Sequence, residues 1–276
     1  MSTALGFLLN HVTMVQAALF GTFIVGCWTL ENALLDAEVR RKKGRARVNA
    51  LFVLSALPIQ VGMTTICMAL AIWVTTQHWG LLYLIPGYDS PWIKYGLMFI
   101  ALDLLDYVFH VAMHHVPLFW RFHLVHHTDQ AIDVSTTVRE HPGETFIRNS
   151  FLIAWVFLCG ASLEILVLRQ TAETVANILA HTSFRLETRA MRMLGWLLVT
   201  PNIHHTHHHS RLPYTNRNYG DVLSVWDRLF GTFADLAPAD TVFGLDTHAS
   251  TKGDDPYIRA LAMPFDEPWR STFLRH

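Results

Sequence analysis

The chain has 276 residues, of which 51% are hydrophobic and only 16% charged, a composition that excludes an ordinary soluble domain and indicates a membrane protein. The formal net charge of −1 gives no electrostatic basis for nucleic acid as a partner. The three cysteines, Cys27, Cys67 and Cys159, lie in apolar runs, and their spacing fits neither a thiolate metal site nor a disulfide framework.

Three apolar runs in the first half of the chain are long enough to predict membrane crossings. They are Phe7–Leu30, Ala50–Val74 and Ile93–Phe109. A dense positive cluster in Glu38–Arg47 predicts a solvated loop on the cytoplasmic side between the first two runs. The third run should therefore return to the cytoplasmic face at its C-terminal end.

Two further apolar stretches, Ser150–Leu163 and Thr174–Ala180, predict the arms of a helical hairpin. Each arm is short for a full crossing. The charged residues between them, Glu164, Arg169 and Glu173, are expected to form a turn at the far surface.

Shorter elements complete the predicted organisation. A short helix is predicted over Phe119–His127, and a final apolar helix, expected to lie in the membrane interface, over Met191–Thr200. We expect a single membrane-embedded domain over residues 1–245, with its motif-bearing core in residues 95–245. Residues 246–276 are expected to form a cytoplasmic tail, and the last forty residues are expected to be either a loose soluble tail or a lid.

The seventeen histidines are concentrated in three blocks. Helical residues three or four positions apart share one face, so imidazoles at these spacings can converge on one point. Imidazole is a ligand for iron, zinc, copper or nickel. The convergent sets are His110 with His114, then His123, His126 and His127, and finally either His204, His207 and His208 or His205, His208 and His209.

The number of histidines predicts more than one ion. Eight or nine imidazoles exceed the roughly four ligands of one structural zinc, so two ions with open coordination positions are the economical interpretation. Open positions favour a catalytic centre. Asp106 and Asp103 precede His110 by four and seven residues, and each carboxylate either accepts an imidazole N–H or simply solvates a helix end.

These motifs resemble those of the fatty acid hydroxylase/sterol desaturase superfamily of membrane di-iron oxygenases. The resemblance covers about residues 95–245, and its motifs are specific together although each is weak alone. They are His110-x3-His114, His123-x2-His126-His127, Arg139-x-His141-Pro142, Asn177-x3-His181, Thr200-Pro201-x2-His204-x2-His207-His208, and Asn218-Tyr219-Gly220 leading into Trp226–Thr232.

The resemblance also implies which histidines are ligands. It selects the frame with His204, His207 and His208, because that frame is in register with the flanking motifs on both sides. It adds His181 to the ligands of the three blocks. The other candidates, as ligands or as hydrogen-bond partners of ligands, are Asp103, Asp106, His141, Asn177, His205 and His209.

An all-α integral membrane bundle is implied, with about four transmembrane helices and a cytoplasmic helical cap that carries the di-metal histidine cluster. The implied cofactors are two non-haem iron ions, with O2 as cosubstrate and zinc able to replace iron in a recombinant preparation. The implied reaction hydroxylates or desaturates an unactivated C–H position of a membrane lipid. Its two electrons are expected from a separate donor, either cytochrome b5-like or a ferredoxin with its reductase.

Two alternatives also account for clustered histidines: a metal transporter, and a non-catalytic protein that binds structural zinc. A transporter predicts ionisable residues along the crossing path, whereas the histidine blocks lie at predicted helix ends. The metal site is expected to face the cytoplasm, in either a bacterial inner membrane or the endoplasmic reticulum.

Overall fold

The computed structural model describes residues 12–34, 43–185, 188–245 and 256–266. Over these residues the regular structure is helical, which confirms the predicted all-α class. The strand-like pairings in these ranges are two isolated antiparallel bridges, Leu198 with Leu223 and His209 with Phe243.

Ten α-helices fall within the described ranges. They are α1 (Val12–Leu34), α2 (Lys43–Gln77), α3 (Met98–His115), α4 (Pro117–His127), α5 (Pro142–Cys159), α6 (Leu163–Ala180), α7 (Arg189–Leu194), α8 (Pro201–His207), α9 (Val225–Leu229) and α10 (Pro256–Ala262). A π-helical segment, Trp92–Leu97, leads directly into α3. The short 3-10 segments are Leu81–Leu84, Val134–Val138, Tyr214–Asn216, Pro238–Asp240 and Met263–Phe265.

Two helical stretches are long and apolar enough to cross a membrane, Ala46–Leu84 and Trp92–His115, and the described part of α1 contributes a shorter one, Ala18–Leu34. Leu54 and Val61 on α2 are 64% and 58% exposed. Lipid accommodates such a face better than water does. These features indicate membrane association, while four crossing helices and a cytoplasmic cap stay predictions.

The positive cluster between the first two apolar runs is helical at its C-terminal end. Because α2 begins at Lys43, the prediction of a loop is wrong for residues 43–47. Lys, Arg and Ala favour helix, and here they extend the apolar helix that follows. The rest of the cluster lies outside the described residues.

The helices α2, α3, α5 and α6 share an apolar core. Leu102 of α3, Val156 of α5 and Ile165 of α6 are each at most 1% exposed. Gly160 ends α5 in a left-handed conformation, with φ of 75°, and its missing side chain lets the backbone of Trp79 approach closely. This contact ties the α5–α6 turn to the end of α2.

The predicted hairpin is corrected in two respects. The turn between α5 and α6 comprises residues 160–162, and α5 packs mainly along α2 whereas α6 packs against α3 and α8. Arg169 and Glu173 lie inside α6 and are buried, so neither is in a surface turn. They remain buried because Arg169 pairs with both Asp106 and Glu173.

The predicted helix over Met191–Thr200 is also shorter than expected. It ends at Leu194, and Gly195 follows at its C-terminal cap. Beyond this glycine the chain turns, so that Leu198 can pair with Leu223. The prediction was wrong because apolar composition alone does not show where a glycine ends a helix.

The described part of the C-terminal segment packs on the helices, so the expected loose tail is wrong for residues 256–266. The Tyr257 ring lies edge-on to Phe52 of α2, with centroids 5.1 Å apart, and Ala260 is 1% exposed. The Pro264 carbonyl accepts a hydrogen bond from Arg121 Nε at 2.6 Å. The domain boundaries themselves stay predictions.

Candidate metal centre

The first two histidine blocks lie on consecutive helices joined by a sharp turn. α3 ends at His115 and α4 begins at Pro117, at the first helical position, where a missing N–H removes no helical hydrogen bond. The chain reversal brings the last turns of both helices together. Their clustered histidines are His110 and His114 on α3, and His123, His126 and His127 on α4.

The third block lies on α8, which also begins with a proline, Pro201. Asn218 adopts a left-handed conformation with φ of 57°, and its Nδ2 donates to the Ile203 carbonyl at 2.9 Å and to the Ala234 carbonyl at 2.7 Å. These bonds fix α8 against the loop that follows it. His181 approaches from another direction, as the C-terminal cap of α6.

Nine histidines form two adjoining groups. In each group, one possible ligand atom per residue lies within 4.8 Å of the others. The rings of His127 and His208 stack across the two groups with centroids 4.6 Å apart. The five-histidine group is His110, His114, His123, His127 and His207, and the four-histidine group is His126, His181, His204 and His208.

These nine are the residues that the sequence nominates as ligands, and the third block contributes His204, His207 and His208. In the alternative frame, the side chains of His205 and His209 contact residues outside the two groups. The His205 ring packs edge-on against Phe243, and His209 Nδ1 accepts a hydrogen bond from the Val242 N–H at 3.0 Å. The structure therefore brings one of the two frames to the groups.

Backbone carbonyls set the tautomer of four of the nine imidazoles. A carbonyl oxygen only accepts hydrogen bonds, so the imidazole Nδ1 must donate and its Nε2 carries a lone pair. The four contacts are His110 Nδ1 to Tyr219 O at 2.9 Å, His126 Nδ1 to Arg139 O at 3.2 Å, His181 Nδ1 to Asn177 O at 2.8 Å and His207 Nδ1 to Arg217 O at 2.7 Å.

One consequence is a close approach of two lone pairs. The Nε2 atoms of His126 and His181 are 3.2 Å apart, and neither carries a proton to share. Two acceptors at this separation repel each other unless a cation binds both. In a tetrahedral site with metal–nitrogen bonds of about 2.05 Å, neighbouring ligand atoms lie about 3.3 Å apart. The spacing therefore fits shared coordination.

Several other imidazole nitrogens in the groups are buried without a hydrogen-bond partner among the described residues. Such an atom costs about 1–3 kcal/mol when it is left unsatisfied, and coordination to a metal removes that cost. The two groups thus fit a pair of metal ions. The atoms that can bind an ion are His114 Nε2 and His207 Nε2, whereas His127, His204 and His208 face neighbouring imidazoles through Nε2 and it is their distal Nδ1 atoms that lack a partner.

The imidazoles that lie outside the candidate membrane spans are kept neutral by burial. Desolvation lowers the pKa of His181 to about 4. Desolvation, reinforced by neighbouring imidazoles, lowers the pKa of His126 and His208 well below the ordinary value. Neutral imidazole is the form that binds metals, so the site is prepared for coordination.

Asp103 and Asp106 have partners other than the imidazoles, so this part of the prediction is corrected. Asp103 accepts hydrogen bonds from Trp226 Nε1 at 2.7 Å and from the Val222 N–H at 3.3 Å. Asp106 pairs with Arg169, at 2.6 Å from Nη2. Both carboxylates therefore bind residues of neighbouring segments, and neither contacts an imidazole of the two groups among the described residues.

His141 and Asn177 take supporting positions. His141 caps α5, where its Nδ1 accepts the Gly143 N–H at 2.9 Å and its Nε2 donates to the Leu261 carbonyl at 3.2 Å. Both ring nitrogens are therefore engaged outside the two groups. Asn177 acts through its backbone carbonyl, which accepts from His181 Nδ1.

Glu144 is a residue of the site that the sequence did not suggest. Its Oε1 lies 2.7 Å from His123 Nδ1, and both side chains are buried. The available signal was its position in the first turn of the helix that begins at Pro142. The side chain of Asn216 has a similar position, with Oδ1 at 3.2 Å from His114 Nδ1.

A comparison with protein families places these groups in a known context. The family model described as fatty acid hydroxylase matches residues 95–232, half of the chain and the part that holds both histidine groups. This chain belongs to the fatty acid hydroxylase family. The resemblance inferred from the histidine motifs is thereby confirmed.

Curated relatives of this fatty acid hydroxylase family member include alkylglycerol monooxygenases. That of Xenopus tropicalis is 34% identical over 150 residues, covering 53% of the chain and 31% of the relative. That of Homo sapiens is 33% identical over 165 residues, which cover 58% of the chain and 34% of the relative. The chain therefore spans about a third of the length of these relatives.

A bacterial relative, the ornithine lipid hydroxylase of Rhizobium tropici, is 29% identical over 169 residues, which cover 61% of the chain and 49% of that protein. No solved structure matches the chain significantly. The relatives are thus named for the oxidation of lipids.

Proposed function

We propose that this chain is a membrane-bound lipid oxygenase in which each histidine group holds one iron ion. The observation that carries the proposal is the pair of facing Nε2 lone pairs of His126 and His181, which calls for a bound cation. Membership of the family and the names of the lipid monooxygenase and hydroxylase relatives supply the reaction class.

The donor set supports a redox-active metal over a structural one. Nitrogen ligands suit iron and zinc equally, but zinc has no redox chemistry and cannot supply electrons to O2. Four or five imidazoles per ion, with no sulfur, also differ from the usual closed structural zinc sites. Iron binds nitrogen ligands and can also supply electrons to O2.

The overall reaction that we propose consumes one O2, two electrons and two protons, converts a lipid C–H bond into C–OH and releases one water. When bound, the ions supply the activation of O2. The chain holds the imidazoles in one orientation through its carbonyls. Trp120, which is 3% exposed and has its ring 4.9 Å from that of His114, helps to exclude water from the site. Loss of a second hydrogen in place of oxygen transfer would give a desaturated product.

We propose that the histidine groups lie at the cytoplasmic surface of a bundle of about four crossing helices. α3 carries His110 and His114 at one end of its apolar stretch, whereas aromatic residues gather at the opposite end. Such aromatic belts mark membrane–water interfaces. The residues of the belt are Trp79, Tyr83, Tyr88 and Trp92. The exposed Arg47, at the same end of α2 as the positive cluster, supports the cytoplasmic assignment by the charge rule.

Metal transport is the rival explanation, and it predicts ionisable residues along a crossing path. Asp106, Arg169 and Glu173 lie beside the candidate span, but they pair with one another within 3.1 Å. Mutually satisfied groups form a fixed structural link and leave no series of open sites along a crossing path. The oxygenase is therefore the better explanation, with electrons from a separate donor protein.

The decisive experiment combines metal analysis with isotope labelling. Cells that express the chain are grown under 18O2, and their lipids are compared by mass spectrometry with those of cells expressing the His126→Ala variant. We expect 18O in a lipid hydroxyl only with the unmodified chain, and about two iron ions per purified chain. A product two mass units lighter without 18O would identify desaturation.

The His205→Asn variant, altered outside both groups, is the matched control and should retain labelling and iron. An iron-free protein with no lipid product would contradict the proposal. Metal flux into proteoliposomes, without lipid oxidation, would support the transporter.

A further inference from the structure

An apolar surface beside α3 is left largely uncovered by the described residues. It is formed by two separate segments, at α7 with its following turn and at the end of α9. Its side chains are large and between 45% and 69% exposed. We name it the wedge, and it comprises Met193, Leu194, Trp196, Leu197, Leu229 and Phe230.

Hydrogen bonds join the two segments of the wedge into one surface. Ser224 donates from Oγ to the Gly195 carbonyl at 2.7 Å, and from its backbone N–H to the Leu197 carbonyl at 3.0 Å. The guanidinium of Arg228 lies 4.6 Å from the ring centroid of Trp196 and links the segments again. The exposed apolar residues are thus held in place by specific contacts.

The wedge lies beside the middle of the α3 span. Trp226 Nε1 donates to Asp103 Oδ2 at 2.7 Å, and the ring of Phe230 stacks on Tyr107 with centroids 5.4 Å apart. Measured from Trp92, the first residue of this apolar stretch, positions 103 and 107 lie roughly 15–23 Å along the helix axis. The hydrocarbon core of a bilayer is about 30 Å thick, so both positions fall within it.

The neighbouring surface of α3 is apolar as well. Val108, one position beyond Tyr107, is 44% exposed, so the wedge continues an apolar face of the candidate span. Two exposed arginines, Arg189 and Arg192, lie on α7 next to the wedge. An apolar surface with cations beside it is typical of segments that insert into a lipid interface, where phosphate groups attract the cations.

We propose that the wedge inserts into the bilayer beside α3, so that the segments supporting the histidine groups rest in lipid. Val199 follows the wedge, donates from its backbone N–H to the Val222 carbonyl at 2.9 Å and lies two residues before the start of α8 at Pro201. Lipid in contact with the wedge is therefore close along the chain to the histidines of α8. The inference rests on the proposed crossing by α3, but not on the metals or the reaction.

The test measures how deeply single side chains lie in a bilayer. The three native cysteines are replaced by alanine, a spin label is attached at Leu197→Cys or Leu229→Cys, and the iron-loaded protein is placed in nanodiscs. Accessibility to O2, which partitions into lipid, is compared with accessibility to a water-soluble nickel complex. The exposed Asp240→Cys serves as the matched control, and an unchanged melting temperature shows that each variant has folded.

We expect labels at positions 197 and 229 to be several-fold more accessible to O2 than to nickel, with the opposite order at position 240. Nickel access at 197 and 229 equal to that at 240 would overturn the wedge. Exclusion of both reagents, with dipolar broadening between labels, would show a second copy on the surface and would also overturn it.

The measurement requires no turnover, so the wedge and the oxygenase can fail separately. Labels in lipid together with absent lipid oxidation would preserve the wedge and refute the reaction. Labels in water together with intact 18O incorporation would refute the wedge and preserve the proposed reaction.

Discussion

Glu144 Oε1 lies 2.7 Å from Nδ1 of His123, and this carboxylate at the start of α5 directs an imidazole of the five-histidine group. The other nitrogen of that ring, Nε2, faces His127 Nε2 at 3.3 Å. A carboxylate on the distal nitrogen fixes the ring orientation and raises the basicity of the ligand. Glu144 is therefore a positioning residue for the proposed ion.

Replacing Glu144 should weaken metal binding before it affects anything else. We expect Glu144→Ala to lower metal affinity roughly 10–100-fold, the usual range for loss of such a partner. Glu144→Gln should fall between this variant and the unmodified chain, because an amide oxygen still accepts the Nδ1 proton. Competition of the purified protein with a chelator of known affinity measures the change.

The control for Glu144 is Glu140→Gln, a nearby carboxylate that pairs with Arg148 and Thr145 and contacts no imidazole in the described residues. Its metal affinity should match that of the unmodified chain. Equal losses of metal affinity in the Glu140 and Glu144 variants would mean that removing any carboxylate from this region weakens metal binding. Positioning of His123 would then not be the cause.

The histidine groups could be predicted from sequence because their spacing is a local property. Residues three and four positions apart share a helical face whatever the rest of the chain does, so His110 with His114 needs no tertiary information. The convergence of α4, α8 and the end of α6 on those residues was implied by the family resemblance. Spacing alone did not choose between His204 and His205.

The partners of the charged residues could not be predicted, because they are far apart in sequence. Asp106 and Arg169 are separated by 63 positions, and only the packing of α6 against α3 brings them together. Without that contact, the sequence leaves Asp106 either to accept an imidazole N–H or to solvate a helix end, and it predicts Arg169 in a surface turn. Glu144 was missed for the same reason, since His123 reaches it from a different helix.

The buried ion pairs of Arg169 should matter strongly for stability. In Arg169→Met, the carboxylates of Asp106 and Glu173 stay buried without their cation, and we expect a loss of about 3–5 kcal/mol in the free energy of unfolding. Thermal unfolding in detergent measures it. Arg189→Met, at an exposed position on α7, should change the melting temperature little. A small and equal effect of both substitutions would show that the buried pairs do not stabilise the fold.

His204 and His205 offer a direct test of the ligand frame, since adjacent residues have different surroundings. His204 Nε2 lies 3.0 Å from His181 Nε2, whereas the His205 ring packs against Phe243. We expect His204→Asn to lose about one of two iron ions, and His205→Asn to keep both. Metal-to-protein ratios from mass spectrometry decide the matter, and the opposite pattern would select the other frame.

Acid should remove one contribution to the stability of the metal-free protein, because its buried imidazoles resist protonation. The pKa of His181 is lowered from the ordinary 6.5 to about 4 by burial, so between these values the unfolded chain binds a proton that the folded chain does not. Stability then falls as pH falls, by up to about 1.4 kcal/mol per pH unit for each such histidine. The contribution of these imidazoles to the melting temperature of the metal-free protein in detergent should therefore shrink between pH 7 and pH 5.

At acidic pH the imidazole of His181 must lose its proton when the chain folds. The His181→Asn variant removes this imidazole, so its melting temperature should depend less steeply on pH. Bound metal should raise the melting temperature most at neutral pH, because protons compete with it for the same nitrogens. A pH dependence of the melting temperature that is the same in His181→Asn and in the unmodified chain would mean that these imidazoles are protonated equally in the folded and unfolded chains. Burial at the meeting point of α4, α6 and α8 would then not keep them neutral.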